Sequence, residues 1–540
     1  MYYKRNLKKS FYYANQLRIW SGIFVLSTKA VPAGSTQPAG NNGTGEKSVR
    51  GLSHFLNLNH RLFNRNKMSQ PINGNDLLAL GYKPGKPLGV ALKANRKRNP
   101  FTREQMLAQY AAVLNAPEQY LEDALFGKLA TAIIEERNRP EDSLISLRAD
   151  TVDYSMYGAD NIEQGAKTQM NVAMKLPVTV AGALMPDAHQ GYGLPIGGVL
   201  ATQNAVIPYG VGVDIGCRMA LSVYDIAETY FSENADKFQR ELVAQTRFGA
   251  GNGFRGNERA SHAVLDDPAF AATPFLSALK DKAWTQLGSS GGGNHFVEFG
   301  IMEFAGPDEK LGMAAGRYLA LLSHSGSRGL GATIAGHYTR IAKELCPLPY
   351  EAANLAYLDL ATEAGQEYWL AMNLAGDYAS ACHEIIHQKM AAALGATVLL
   401  QVENHHNFAW KENWNGTEVI VHRKGATPAG KDVMGIIPGS MATPGFLVRG
   451  KGEADAINSA SHGAGRLMSR TAAIKSLSKE DVKAFLKENK VTLIGGGMDE
   501  APMAYKDIHQ VMAAQQSLID KIATFYPRLV RMADDGSRED

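Results

Sequence analysis

The chain has 540 residues, 45% of them hydrophobic and 20% charged, a composition that points to a folded protein with a large core and not to a fibrous or disordered one. Its net charge of +3 hides an asymmetry, because residues 1–67 hold eleven Lys or Arg against the single acid Glu46, which leaves the remaining residues at about −7. Such a body excludes a broadly basic surface, so any nucleic acid would have to be held in a local patch or groove.

In chain order, the basic stretch "KRNLKKSFYYANQLR" and the apolar "IWSGIFVLS" have the layout of a weak targeting peptide. Ser21 and Gly22 interrupt the apolar part, so residues 1–67 read instead as a disordered extension, or as sequence upstream of a true start at Met68. No run approaches the 18 apolar residues of a spanning helix. Residues 68–540 read as one large domain that mixes helices with short strands, the α+β class. Helices are expected over 103–117, over 362–396 with a break at Gly376, and from Ser478, where Asp481 three residues on resembles a capping box. "EVIVHRK" and "VTLIGG" read as strands, and the glycine-rich "HQGYGLPIGG", "GSSGGGNHF", "SHSGSRGLG" and "IPGSMATPG" as the turns on which sites gather. Cys217, Cys346 and Cys382 are too few and scattered for a disulfide framework, which fits a reducing, cytoplasmic setting.

Asp214 and Cys217 sit three apart in "GVDIGCRM", either as half of a transition-metal site or as a turn aspartate beside a structural cysteine. His295, His324 and His406 each neighbour residues able to orient an imidazole: Asn294, Ser323 with Ser325, and Asn407. These five ligands suffice for two metals only if one is shared, and their softness alone favours zinc. In plain strand alternation His295 and Glu298 face opposite ways, so a strand must end or bulge near "NHFVE" for both to reach one site.

Three stretches suit phosphate: "HRKGAT" with Arg423 and Lys424, the turn "IPGSM", and "SHGAGRLMSR" (461–470). In the last, Arg466 and Arg470 would share a helix face if the segment is helical, and together would grip a phosphate. His462, with small residues clearing the space after it, is suited either to attack phosphorus and form a phosphoramidate or to serve as general acid or base. The residues alone leave both roles open.

Taken together, "GVDIGCRM", "GGGNHFVEF", "HSGSRG", "HHNFAW", "HRKGAT", "PGSM", "SHGAGRLMSR" and "AYKDI" resemble the RtcB family of RNA ligases, in the family's order and from about Met68 onward. The resemblance implies one large mixed α/β domain around a central metal-containing cleft. It further implies a GTP- and manganese-dependent ligase that joins RNA 3′-phosphate or 2′,3′-cyclic phosphate ends to 5′-hydroxyl ends, in tRNA splicing or RNA repair. His462 matches the nucleophile that forms a histidyl-GMP adduct. Asp214, Cys217, His295, His324 and His406 match ligands of two manganese ions bridged by the Cys217 sulfur. Guanylate contacts carry over to Asn294, His295, Phe296, Val297 and Glu298, to His406 and Asn407, to Pro438, Gly439, Ser440 and Met441, to His462, Gly463, Ala464 and Gly465, and to Lys506. Lys424, Arg466 and Arg470 match positions that hold RNA phosphates, and an archease-like activator is a further implied partner.

The chain departs from the family pattern at Gly445, where a serine is usual, at Pro428, which replaces an arginine, and at Cys382 and His383, which replace an Asn-Arg pair. Two rival readings remain: a metal-dependent phosphoesterase acting on RNA ends through water activated by the same ligands, and an RNA-binding protein that has lost catalysis.

Overall fold

The computed structural model describes residues 72–83, 85–95, 101–138 and 144–533; the expectations for residues 1–67 and for a boundary at Met68 lie outside them. Near the start, helix α1 (Arg103–Asn115) opens on a reciprocal box in which Thr102 accepts from the Gln105 amide and the Gln105 side chain accepts from the Thr102 amide. Its Met106, Tyr110 and Val113 pack with Leu77, Leu129 and Ile133 into a small helical core of their own.

The strands that carry the site are, in chain order, β1 (Thr179–Tyr192), β2 (Leu194–Thr202), β3 (Arg218–Tyr224), β4 (Phe296–Phe304), β5 (Gly316–Ser325), β6 (Val398–His405), β7 (Asn407–Trp414), β8 (Thr417–Lys424), β9 (Met434–Ile437), β10 (Gly445–Gly450) and β11 (Ile519–Met532). They form two sheets. The larger runs β9-β10-β11-β4-β5-β3-β6, with Thr492–Ile494 added beside β11; the smaller runs β1-β2-β8-β7, with Ser155–Met156 outside β1. "EVIVHRK" and "VTLIGG" thus supply the strands expected of them.

The two ends of the larger sheet are drawn together by one side chain. Asn404 on β6 accepts from the Ile436 amide on β9 at 2.9 Å and donates to the Thr427 hydroxyl at 2.8 Å. The sheet therefore curls around an interior of Met219, Leu221, Met302, Leu322, Ile436, Leu447 and Phe525. On its outer face Val297, Phe299, Ile301, Leu319 and Leu321 pack against Ile386 and Met390 of the long helix α2 (Glu363–Leu394).

Helix α2 runs unbroken through Gly376, where a break was expected. The glycine serves close packing: a Cβ there would lie 2.8 Å from the Phe408 ring, and its own Cα occupies the place a Cβ on Gly216 would need. Arg218 donates to the Gly376 carbonyl at 2.6 Å, so the helix rests directly on the turn that holds Asp214 and Cys217. Further on, helix α3 (Arg470–Ser476) starts after Ser469, and α4 (Lys479–Glu488) after Ser478, whose hydroxyl oxygen accepts from the Asp481 amide as the spacing predicts. No helix among the described residues is long and apolar enough to cross a membrane.

Replacing Asn404 by Ala strands the buried Ile436 amide at the seam of the curled sheet, which should cost about 1–3 kcal/mol. The midpoint of thermal unfolding should fall; an unchanged midpoint would show that this side chain does not hold the seam.

Candidate active site

Antiparallel register decides where the site lies. Cys217 comes just before β3 and His295 just before β4, while His324 is next to last in β5 and His406 directly follows β6. Because β5 and β6 both run antiparallel to β3, Arg218 stands opposite Ser325 on one side and His405 on the other; Phe296 stands opposite His324. All four elements therefore deliver their ligand at the same edge. β4 begins at Phe296, which frees His295 from the strand alternation, so the strand ends where it has to.

The side chains converge through their outer atoms. Cys217 Sγ lies 3.1 Å from His324 Nε2 and 3.4 Å from His295 Nε2; His324 Nε2 lies 3.2 Å from His406 Nε2, and Asp214 Oδ2 is 3.0 Å from His295 Nε2. Two groups result, Asp214–Cys217–His295 and Cys217–His324–His406, all buried and sharing the sulfur. Asp214 Oδ1 is held by the Ser327 amide, whereas Oδ2 has no hydrogen bond despite its closeness to His295. The Asn294 carbonyl accepts from His324 Nδ1, which fixes the proton there and leaves the Nε2 lone pair pointing into the group. Burial, aided by neighbouring imidazoles, holds His324 and His406 well below the usual range, so both are neutral. Burial works to raise the Asp214 carboxyl, but His295, Cys217 and Arg328 together outweigh it and the net shift is downward.

His462 stands beside this group, its ring 5.0 Å from that of His406. Its Nδ1 lies 2.7 Å from Oδ2 of the fully buried Asp187, and the same oxygen accepts from the His462 and Gly463 amides. A carboxylate only accepts, so Nδ1 carries a proton, and in the neutral tautomer the lone pair lies on Nε2. Desolvation pushes the Asp187 carboxyl up, while His462 and Lys506 pull it further down, below the ordinary value. Gly425, at φ +62, leaves room for the imidazole: a Cβ there would be 3.1 Å from His462 Cε1. Asp187 was not anticipated from the sequence; its signal is an aspartate just ahead of the glycine-rich "HQGYG" on the strand that reaches the site.

The phosphate-binding expectations meet a more occupied set of cations. The segment before Ser469 is not helical, because Ser469 caps α3, so Arg466 and Arg470 share no helix face. They meet nonetheless on two acids: Arg466 bonds the Asp499 carbonyl (2.6 Å) and Glu500, and Arg470 bonds Asp499 (2.8 Å) and Glu500. Arg423 is buried, paired in bidentate fashion with Glu412 and lying over Trp410, a structural role. Lys424 donates to the Tyr192 and Tyr209 carbonyls, and burial lowers its pKa to about 7. Lys506 donates to the Pro186 and Ala188 carbonyls, either side of Asp187. The Asn407 amide is committed to the Gly425 N–H and, more weakly, the Asp214 carbonyl. Pro438, Gly439, Ser440 and Met441 form a turn closed by the Thr443 hydroxyl, and a Cβ on Gly463 would lie 3.3 Å from the Pro438 carbonyl oxygen, so this turn borders the Gly463–Gly465 stretch. Phe296 packs 5.6 Å from His324, ring to ring, but Val297 turns its side chain into the core under α2 and away from the site.

Three of the departures have visible consequences. A Cβ at Gly445 would lie 3.3 Å from Pro438, so the turn is tight where the usual serine is missing. Pro428 ends a short strand (Ala426–Pro428) that pairs with Ser459–Ser461. His383 and His387, in "HEIIH", have the spacing of a helical zinc motif, but all four ring nitrogens are spoken for. His383 Nε2 donates to the Ser325 carbonyl, which makes Nδ1 an acceptor for Ser323; Ser323 in turn accepts from His387 Nε2, and His387 Nδ1 accepts from Ser222. Burial lowers the two imidazoles to about 4 and about 3, keeping the chain neutral. It braces β5 from behind, one residue either side of His324.

A buried carboxylate, thiol and three imidazoles, placed beside a fourth histidine that a carboxylate orients, define a candidate metal-dependent enzyme. The family model described as tRNA-splicing ligase RtcB matches residues 169–533. The chain is 32% identical over 392 residues to the RNA-splicing ligase RtcB of Escherichia coli K12, covering 67% of this chain and 93% of that protein. It is 31% identical over 430 residues to the tRNA-splicing ligase RtcB of Nanoarchaeum equitans (66% and 89%) and 30% identical over 428 residues to the RNA-splicing ligase RtcB of Mycobacterium tuberculosis (66% and 98%). The chain belongs to the RtcB family and is a ligase of that family.

Glu298, on the face of β4 opposite Val297, is buried with Oε2 unpartnered, and burial raises its carboxyl well above the usual range. The folded state therefore keeps this proton to higher pH than the unfolded chain. The stabilising contribution is complete below about pH 4 and is lost as pH rises toward the folded value. In metal- and nucleotide-free protein, Glu298→Gln should unfold near the wild-type temperature at pH 5 and progressively above it toward pH 8. Parallel curves would contradict the raised carboxyl.

Proposed function

We propose that this chain joins RNA 3′-phosphate or 2′,3′-cyclic phosphate ends to 5′-hydroxyl ends, with GTP as the energy source and manganese as the metal. The observation that carries the reading is the Asp187–His462 pair: Nδ1–H is tied down, and Nε2 is left as a nucleophile beside the ligand group. His462 Nε2 attacks the α-phosphorus of GTP, forming a P–N bond and expelling pyrophosphate. The GMP passes to an oxygen of the RNA 3′-phosphate, which breaks the P–N bond. The 5′-hydroxyl oxygen then attacks the RNA phosphorus, its proton is lost and GMP departs. A cyclic phosphate is first opened by water to the 3′-phosphate.

The ligand group fits two ions on its own chemistry. It offers a carboxylate, a thiol and three imidazoles, with the His324 Nε2 lone pair turned inward, and Asp214 Oδ2 is buried without a hydrogen bond. Asp214, Cys217 and His295 would hold one ion and Cys217, His324 and His406 the other, supplying neutralisation of charge on phosphate oxygens. The buried Oε2 of Glu298 is an acceptor in search of donors, which suits the N1 and N2 protons of guanine. Lys424, Arg466 and Arg470 would take RNA phosphates, the two arginines by exchanging part of their hold on Asp499 and Glu500. An archease-like activator and a cytoplasmic setting complete the reading.

Incubation with α-labelled GTP and manganese, followed by denaturing electrophoresis, should label the wild type but not His462→Ala, and acid should remove the label. Asp187→Asn, which puts a poorer partner on Nδ1, should slow labelling by about 10²-fold or more. No label on metal-loaded wild type would sink the mechanism and favour the phosphoesterase, which releases phosphate without GTP.

Manganese content by elemental analysis gives a separate check. Cys217→Ala should bind one ion or fewer per chain where the wild type binds two. An unchanged count would remove the sulfur from both sites.

A further inference from the structure

We propose that Tyr192 and Tyr209 form a platform on which a base of the single-stranded RNA end stacks, an inference that rests on the RNA-ligase reading above. A surface tyrosine alone needs no explanation. Here, however, several independent features meet.

Tyr192 sits at the tip of the β1–β2 hairpin, paired with Leu194 across Gly193, and is 69% exposed. Gly193 has φ +74 and no room for a side chain, since a Cβ would come within 2.8 Å of the Asn354 carbonyl oxygen. The hairpin backbone is thus pressed onto the body while the tyrosine ring stands out from it. The ring of Tyr209 lies 6.4 Å away at 44°, so the two present a stepped aromatic surface.

Lysines border this surface. Lys424 Nζ donates to the backbone carbonyls of both tyrosines and lies 5.1 Å from the centre of the Tyr209 ring. Lys343 Nζ, on an exposed residue, lies 5.9 Å from the same ring and is held by Asn354 at 2.7 Å. On a body that is net acidic, aromatic faces set among lysines have the composition of a single-strand nucleic-acid track.

The surface is also tied to the reacting centre. Asp187, which orients His462, lies five residues before Tyr192 on the same strand, at most about 17 Å along an extended backbone. Lys424 immediately precedes Gly425, which borders the His462 ring. A base held on the tyrosines would keep the strand in line with the site without any hydrogen bond to its edge. Recognition would therefore be tolerant of sequence, because every base has a π-face.

The test uses the full chain and two RNA oligonucleotides, one with a 3′-phosphate and one with a 5′-hydroxyl, each carrying 2-aminopurine at the reacting terminus. Stacking quenches 2-aminopurine fluorescence. Wild type and Tyr192→Phe should quench at least one of the two probes; Tyr192→Ala should not, and should bind that RNA about tenfold or more weakly, with a correspondingly raised KM. Because Tyr192 is exposed, the Ala variant should unfold at the wild-type temperature, which separates lost stacking from lost fold. The proposal is overturned if wild type quenches neither probe, or if Tyr192→Ala quenches and binds as wild type does. Failure of wild type to take up GMP would instead count against the ligase reading, since the quenching result judges the platform by itself.

Discussion

The site depends on antiparallel register. Cys217 can touch His295, His324 and His406 only because β3 lies between β5 and β6, both running the other way, with β4 beyond β5. Shifting β5 by one residue would turn His324 to the opposite face, where α2 packs, and shifting β3, β4 or β6 would displace the ligand at its end along the sheet. The register is therefore protected from both sides. Inside the curl it is held by the core around Met219, Leu322 and Phe525, and outside by the contact of Gly216 with Gly376 and by the Ser222–His387–Ser323–His383 chain.

That buried chain shows why a motif cannot be read without its surroundings. Two histidines one helical turn apart, with a glutamate between, have the pattern of a zinc helix, yet each nitrogen already has a partner and burial keeps both rings neutral. Glu384, which would be the base of such a site, is exposed and pairs with His262. By contrast, the carboxylate and amide oxygens left unpaired among the described residues are Asp187 Oδ1, Asp214 Oδ2, Asn294 Oδ1 and Glu298 Oε2, all around the candidate active site, while buried hydroxyls such as those of Tyr224, Thr339 and Tyr368 are unpaired elsewhere. Leaving a buried acceptor unpaired costs about 1–3 kcal/mol each. These four carboxylate and amide oxygens differ in this from the satisfied polar chain behind the site.

The cations carry a similar lesson. Arg466 and Arg470 are preset by Asp499 and Glu500, which stops two guanidinium groups from repelling each other and keeps both pointed at one place. On the proposed reading, RNA phosphates would enter a site whose charges are already compensated, and binding would exchange partners in place of neutralising bare cations.

Much was legible in the residues themselves. The helix from Ser478 follows from capping chemistry, which is local, the helix expected over 103–117 runs over Arg103–Asn115, and the strands around "EVIVHRK" and "VTLIGG" form where expected. The five candidate ligands and His462 stood out as candidates by their spacing and by neighbours able to orient an imidazole, and their convergence was implied by a family resemblance. Spacing could not supply that convergence, since 192 residues separate Asp214 from His406. Gly376 looks like a helix breaker in one dimension; only the arrival of Gly216 and Phe408 shows it to be a place of close approach. Asp187 is 275 residues from His462 and was invisible until β1 laid it against the imidazole. Likewise nothing local shows that Arg423 is spent on Glu412 while Lys424, its neighbour, faces the cleft side of the same strand. Local chemistry chose the caps, the turns and the candidate ligands. Which of them meet, and which are used up on one another, was decided by strand order and register, because those set distances between residues that the chain itself leaves far apart.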